Sequence, residues 1–186
     1  GFTEFQYFTN TTVGQMPQEG NDKLILIPDE FFGGCSNMRK VAFSRNFAYT
    51  GNRMFKGCTR LEHVYGPEMG YDEDKNVLYN DLSFKYVGDE MCSGCTRLQT
   101  FMLSNTTEYI GNQAFAECTS LTDFRIPSTS NLQIIYSASS TPFMKCPNIT
   151  FRGTTYDVNS SVKYQVKDGA VYEITNEKVS LVHLGK

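Results

Sequence analysis

Cys92-Ser-Gly-Cys95 sets two thiols at the spacing that suits zinc binding or dithiol–disulfide exchange. A closed zinc site needs a second pair at ligand distance, and none accompanies this one. Asp72-Glu73-Asp74-Lys75-Asn76 alternates oxygen ligands as the start of a calcium loop does. The glycine such a loop requires is Val77 and its closing glutamate is Ser83, so the stretch reads as a solvated acidic loop. Catalysis by acid–base or nucleophilic chemistry has little to draw on. The only histidines are His63 and His183, on segments far apart, and no Gly-x-Ser-x-Gly elbow, phosphate loop or dinucleotide fingerprint occurs. The expectation is a protein without enzymatic activity, cofactor or bound metal.

The cysteines answer to a different rule. Phe-x-x-Cys-x-x-apolar recurs as Phe32-Gly-Gly-Cys35-Ser-Asn-Met38, Phe55-Lys-Gly-Cys58-Thr-Arg-Leu61, Cys92-Ser-Gly-Cys95-Thr-Arg-Leu98, Phe115-Ala-Glu-Cys118-Thr-Ser-Leu121 and Phe143-Met-Lys-Cys146-Pro-Asn-Ile149. In the third copy Cys92 takes the place of phenylalanine. The anchor cysteines lie 23, 37, 23 and 28 residues apart, a unit of 23 stretched by insertions of 14 and 5. A fixed period of this length marks a solenoid, whose units stack because none can bury its apolar face alone. Downstream of each cysteine the apolar residues fall two apart, as in Val41 and Phe43, Phe101 and Leu103, or Phe124 and Ile126. That spacing predicts one strand per unit and a parallel ladder. Upstream, Gly51-Asn52, Gly88-Asp89 and Gly111-Asn112 read as a turn and helix N-cap, predicting a very short helix in each unit.

Phe32, Phe55, Phe115 and Phe143, with Cys35, Cys58, Cys92, Cys95, Cys118 and Cys146, are thus expected to form the core as buried, reduced thiols and rings. Adjacent rungs about 4.8 Å apart do not forbid disulfides by distance. Stacked side chains point in parallel, however, and the torsion a disulfide requires is hard to reach.

These residues resemble the BspA-like leucine-rich repeats, the cysteine-containing variety found on surface proteins of bacteria and some protists. The best stretch is Tyr109-Ile-Gly-Asn-Gln-Ala-Phe-Ala-Glu-Cys-Thr-Ser-Leu-Thr-Asp-Phe-Arg-Ile-Pro127. The resemblance implies an α/β solenoid, a right-handed leucine-rich-repeat superhelix of about five rungs with a parallel sheet and short convex helices or turns. Phe5-Gln-Tyr-Phe8-Thr is similar to the segment that opens such proteins. Tyr164–Tyr172 and Glu177–Val182 are similar to their β-hairpin, which the alternation around Thr175-Asn176-Glu177-Lys178 predicts independently. The expected division is an N-terminal capping segment over 1–26, the solenoid over 27–153 with an insertion at 66–85, and a C-terminal hairpin or cap over 154–186.

Between the inward residues of each strand stand side chains that must face the opposite, concave side. They include Arg39, Lys40 and Ala42; Glu62, His63 and Tyr65; Gln99, Thr100 and Met102; Thr122, Asp123 and Arg125. Lys40, His63, Tyr65, Thr100, Met102, Asp123 and Arg125 are the candidate partner-binding residues. The column Tyr65, Met102, Arg125 joins residue types enriched in protein interfaces. The insertion, with Tyr71 and Tyr79, is a second candidate surface, whereas Tyr86 belongs to the repeat.

A net charge of −3 without a basic cluster disfavours nucleic acid and anionic membranes as partners. No apolar run reaches the length of a spanning helix, and no signal peptide stands at the start. The resemblance implies an extracellular or cell-surface setting and adhesion to a protein or glycan ligand, host extracellular matrix included, by an expected monomer. The alternative is a structural spacer or an assembly element joined through its solenoid ends. Sequons at Asn10, Asn105, Asn148 and Asn159 are glycan acceptors in a host that glycosylates secreted chains and incidental elsewhere.

Overall fold

In the computed structural model, which describes residues 4–5, 25–43, 47–66, 70–71, 77–78, 82–175 and 178–186, each repeat makes one turn of a parallel-β solenoid. The strands in chain order are β1 (Glu4–Phe5), β2 (Ile25–Ile27), β3 (Lys40–Ala42), β4 (Phe47–Thr50) and β5 (His63–Tyr65). There follow β6 (Gly70–Tyr71), β7 (Val77–Leu78), β8 (Tyr86–Val87), β9 (Thr100–Met102), β10 (Tyr109–Ile110) and β11 (Asp123–Arg125). Last come β12 (Gln133–Ile134), β13 (Thr150–Arg152), β14 (Tyr164–Lys167), β15 (Ala170–Thr175) and β16 (Lys178–Leu184).

The predicted ladder is a six-stranded parallel sheet in the order β1-β3-β5-β9-β11-β13. Its register stacks Val41 on Val64 and Phe124 between Phe101 and Phe151, all of them buried. A second parallel sheet, of five strands in the order β12-β10-β8-β4-β2, closes the opposite side. It was not expected. It is built from the Tyr-Ile-Gly and Tyr-Val-Gly stretches just ahead of the turns, with Ile27, Thr50, Val87, Ile110 and Ile134 turned inward.

The expected short helices are absent among the described residues, and hydrogen-bonded turns stand in their place. A helix would send each N–H to its own chain four residues back. Here alternate N–H groups cross to the next rung instead: Arg53 N donates to Asp89 O, Phe55 N to Met91 O and Gly57 N to Ser93 O, at 2.7–2.9 Å. The same three-bond pattern joins the rung of Phe32 to that of Phe55, and the rung of Cys92 to that of Phe115. Left-handed residues make the alternation possible, Arg53 with φ 55° and Gly57 with φ 74° among them.

The Gly-Asn and Gly-Asp pairs therefore serve the joint between rungs rather than a helix cap. Asp29 Oδ1 accepts Asn52 N–H at 2.8 Å, Asn52 Oδ1 accepts Asp89 N–H at 2.9 Å, and Asp89 Oδ1 accepts Asn112 N–H at 2.8 Å.

Inside, Phe32 stacks on Phe55 with centroids 5.3 Å apart and Phe115 on Phe143 at 5.9 Å. Each buried anchor thiol donates to a carbonyl of the preceding rung: Cys58 to Phe32 O, Cys95 to Phe55 O, Cys118 to Cys92 O and Cys146 to Phe115 O, at 3.0–3.2 Å. All six cysteines are free. Burial pushes Cys58 and Cys146 up to about 12 and holds Cys92 and Cys118 well above the ordinary thiol range, so these are inert apolar groups. Cys35 departs from the expected core: it is exposed. Its rung is the first of the five that carry the motif, and its thiol makes no such bond to a described residue.

Beyond the last rung the chain forms a three-stranded antiparallel sheet, β14-β15-β16, rather than a single hairpin. The added turn is Asp168-Gly169, both left-handed at φ 49° and 76°, as a two-residue hairpin loop between right-twisted strands requires. This meander seals the solenoid end. Ile134 N donates to Tyr164 Oη at 3.0 Å, Lys186 N donates to Ile149 O at 2.8 Å, and His183 packs on Phe143 and Phe151. In the insertion, β6 and β7 pair antiparallel. Asp72–Asn76, Tyr79, Asn10, most of the N-terminal segment and Asn176-Glu177 lie outside the described residues.

Candidate functional site: the outward face of the six-stranded sheet

Three-residue strands with a buried middle residue leave the first and third side chains on the outer face. Register then sorts these into two columns. Lys40 is opposite His63, His63 opposite Thr100, Thr100 opposite Asp123 and Asp123 opposite Thr150. Ala42 is opposite Tyr65, while Met102, Arg125 and Arg152 run side by side in the second column.

Lys40 is exposed, and His63, Thr100, Met102, Asp123 and Arg125 are half-buried. Tyr65 is the correction: it is only 8% exposed and lies against His63, with ring centroids 5.6 Å apart. A side chain so covered packs the face rather than presenting it. Burial, followed by the nearby charge of Lys40, pushes His63 below its ordinary range, so the imidazole is neutral at neutral pH.

Two residues not anticipated complete the face. Thr150 and Arg152 extend both columns, and Arg152 grips Asp123 with two bonds, Nη2 to Oδ2 at 2.6 Å and Nε to Oδ1 at 2.8 Å. The sequence did hold a signal for them. Thr150 lies four residues past Cys146, whereas Asp123 lies five past Cys118, so a one-residue contraction shifts the strand forward. Beside the columns, Arg39 pairs with Glu62 at 3.0 Å, and Arg97 reaches the same carboxylate at 3.8 Å.

Arg39, Lys40, Arg97, Arg125 and Arg152 thus share this side with the carboxylates of Glu62 and Asp123. Among the described residues the face carries an excess of positive charge, on a chain whose net charge is −3. Folding gathers these bases from four rungs, one or two from each, which is why no long basic run appears in the sequence.

The second sheet presents a different surface. Tyr49, Tyr86 and Tyr109 line up in register, with Tyr86 and Tyr109 stacked at 4.2 Å and an interplanar angle of 3°. Among the described residues, no three His, Cys, Asp or Glu side chains gather as metal ligands, and no helix is long and apolar enough to cross a membrane.

Two parallel sheets wound from units of 23 residues or more, with a motif cysteine in five successive turns, define a solenoid of the leucine-rich-repeat class. Residues 6–85 match the BspA type Leucine rich repeat region in six copies, and the chain carries leucine-rich repeats of that type. No curated protein sequence matches it.

Among solved structures it is similar to a leucine-rich repeat protein from Bacteroides ovatus, at 23% identity and a TM-score of 0.50 over 72% of this chain and 31% of that one. It is also similar to the T. pallidum leucine rich repeat protein, at 19% identity and a TM-score of 0.50 over 81% of this chain and 69% of that one. A leucine rich cell surface protein from Faecalibacterium prausnitzii aligns over 99% of this chain and 55% of its own, at 15% identity and a TM-score of 0.43. The chain spans about a third of the length of the Bacteroides protein.

Proposed function

We propose that the chain is a non-enzymatic, surface-displayed interaction module. It binds a protein or glycan through the outer face of the six-stranded sheet, and the recognised groups are carboxylates or sulfates on that partner. The observation that carries this reading is the set of registered outer columns, which place Lys40, Met102, Arg125 and Arg152 on one rigid surface with excess positive charge. Such a surface steers anionic partners. Surface location is supported by the BspA type of the repeats.

The assembly alternative receives less support. At the C-terminal end of the solenoid the meander occupies the last rung, through the Tyr164 and Lys186 hydrogen bonds, and a second copy would have to displace it.

Binding is tested against extracellular-matrix proteins, mucins, and sulfated and neutral glycans, with a Met102→Ala/Arg125→Ala/Arg152→Ala variant beside the parent. The reading expects a salt-sensitive interaction with acidic ligands that the folded variant loses at least about tenfold. Equal binding by the variant, or preference for neutral glycans, overturns it.

A further inference from the structure

The structure separates the described sequons by what their two reacting positions are already doing. N-glycosylation needs an asparagine amide and a hydroxyl two residues later, both presented away from the fold on a surface loop. In the sequon of Asn105, the hydroxyl belongs to Thr107, which is fully buried and donates to Phe84 O at 2.7 Å. Asn105 Oδ1 also accepts Ser128 N–H at 2.8 Å, joining two rungs. In the sequon of Asn148, the amide nitrogen itself is engaged, donating to Thr119 O at 3.1 Å. Its hydroxyl residue, Thr150, is held in β13, with its N–H on Thr122 O at 2.9 Å. Modifying Asn105 means drawing Thr107 out of the solenoid, and modifying Asn148 means breaking its amide's bond to the preceding rung.

Asn159 is in the opposite condition. It sits in the loop between β13 and β14, on a turn closed by Ser160 N donating to Asp157 O at 3.0 Å. Its backbone N–H is fixed by Asp157 Oδ1 at 2.9 Å, so the residue is held in place. Its side-chain amide bonds no described residue, and both Asn159 and the hydroxyl-bearing Ser161 are exposed. Val158, Ile174 and Val179 line a groove of about 410 Å³ beside it, and Val158 is 63% exposed. A sugar on Asn159 has within reach a groove of mixed character, in which Ser160, Ser161, Thr175 and Lys178 stand beside these apolar groups.

We propose that, among the described sequons, Asn159 is the N-glycan acceptor of the folded chain. The donor is a sugar activated as a nucleotide or polyprenyl diphosphate. Asn159 Nδ2 forms a bond to the anomeric carbon as the bond from that carbon to the diphosphate oxygen breaks. The diphosphate leaves with the electron pair, and the amide proton passes to the transferase or solvent.

The test uses an Asn10→Gln chain and a soluble N-glycosyltransferase with UDP-glucose. The folded protein is compared with a chain kept unfolded by alkylating its cysteines, and products are mapped by site-resolved mass spectrometry. Asn159 is expected to react at rates within about threefold in the two forms, and Asn105 and Asn148 at least about tenfold more slowly when folded, because they wait on local opening. Ser161→Ala is expected to abolish the Asn159 product. Folding that protects Asn159 as strongly as the others, or modification of Asn105 or Asn148 in the folded chain as fast as Asn159, overturns the proposal.

Discussion

Replacing Gly88 by alanine is expected to damage this protein far more than the same change at Gly94, although both glycines stand in turns of one rung. A methyl group on Gly88 would lie 2.4 Å from Gly51 O and 2.6 Å from Gly51 C, both backbone atoms of the neighbouring rung. Restoring an ordinary contact of 3.4 Å requires the rungs to part by about 1 Å. That displacement strains Gly88 N–H on Thr50 Oγ1, now 3.0 Å, and Asp89 N–H on Asn52 Oδ1, now 2.9 Å. Overpacking costs about 1–3 kcal/mol and each weakened buried hydrogen bond about 1 kcal/mol more, so the loss should reach about 3 kcal/mol or above.

At Gly94 the added methyl meets only Gly57 N at 3.8 Å and Gly57 Cα at 3.9 Å, leaving the left-handed backbone, φ 76°, as the sole penalty. That penalty is about 1–2 kcal/mol, offset by about 0.4–1 kcal/mol of unfolded-state entropy. Glu117 and Lys145 already occupy the equivalent position at φ 62° and 58°. Urea unfolding followed by circular dichroism at constant m-value measures both changes. A Gly94→Ala cost equal to that of Gly88→Ala, or a Gly88→Ala cost under about 1 kcal/mol, refutes the claim that close backbone stacking fixes the first glycine.

Two further outcomes follow from the termini of the core. His183 lies against Phe143 and Phe151, with Nδ1 2.9 Å from Thr141 Oγ1, and burial holds its pKa below the ordinary 6.5. The unfolded chain therefore takes up the proton first, so stability is full above pH 6.5 and falls, by up to about 1.4 kcal/mol per pH unit, as pH drops toward the lowered native value. His63 adds a loss of the same sign, and His183→Phe should flatten the pH 7 to 5 profile of urea midpoints; an unchanged profile contradicts the assignment. In thiol titration the native protein should show one fast-reacting group, Cys35, and the unfolded chain all six. Native reactivity that persists in a Cys35→Ser variant would mean the buried ladder is open to solvent.

The solenoid was legible because its signal is repetitive: Phe55, Cys58 and Leu61 recur in register, and residues two apart after them mark the strand. The inward places of Val41, Val64, Phe101 and Phe124 followed directly. What stayed hidden depends on the neighbouring rung. Gly88-Asp89 looks locally like a turn and cap, and only the backbones of the two flanking rungs, 23 or more residues away, reveal that the glycine makes room for the one before and the carboxylate bridges to the one after. The second sheet escaped notice because Tyr86-Val87 and Tyr109-Ile110 are two residues long, too short to display a period. Lys40, Thr100, Met102, Asp123 and Arg125 could be placed on one face by alternation alone. The burial of Tyr65 and the Arg152–Asp123 clasp could not, since both are set by side chains arriving from elsewhere in the chain.

The thiol-to-carbonyl and amide-to-side-chain bonds both run from the later rung to the earlier one, while the backbone N–H bonds of the turns run the other way. A rung's cysteine reaches back to the rung before it, while its asparagine or aspartate receives an N–H from the rung after it. The joint is thus a plug and socket of fixed polarity, identical whether the connecting chain is 23 residues long or carries an insertion of 14. A duplicated unit spliced into the array would meet compatible partners on both sides without altering either. Length in such a protein can change by recombination of whole units, and the spacing of anything displayed along its face changes in steps of one rung.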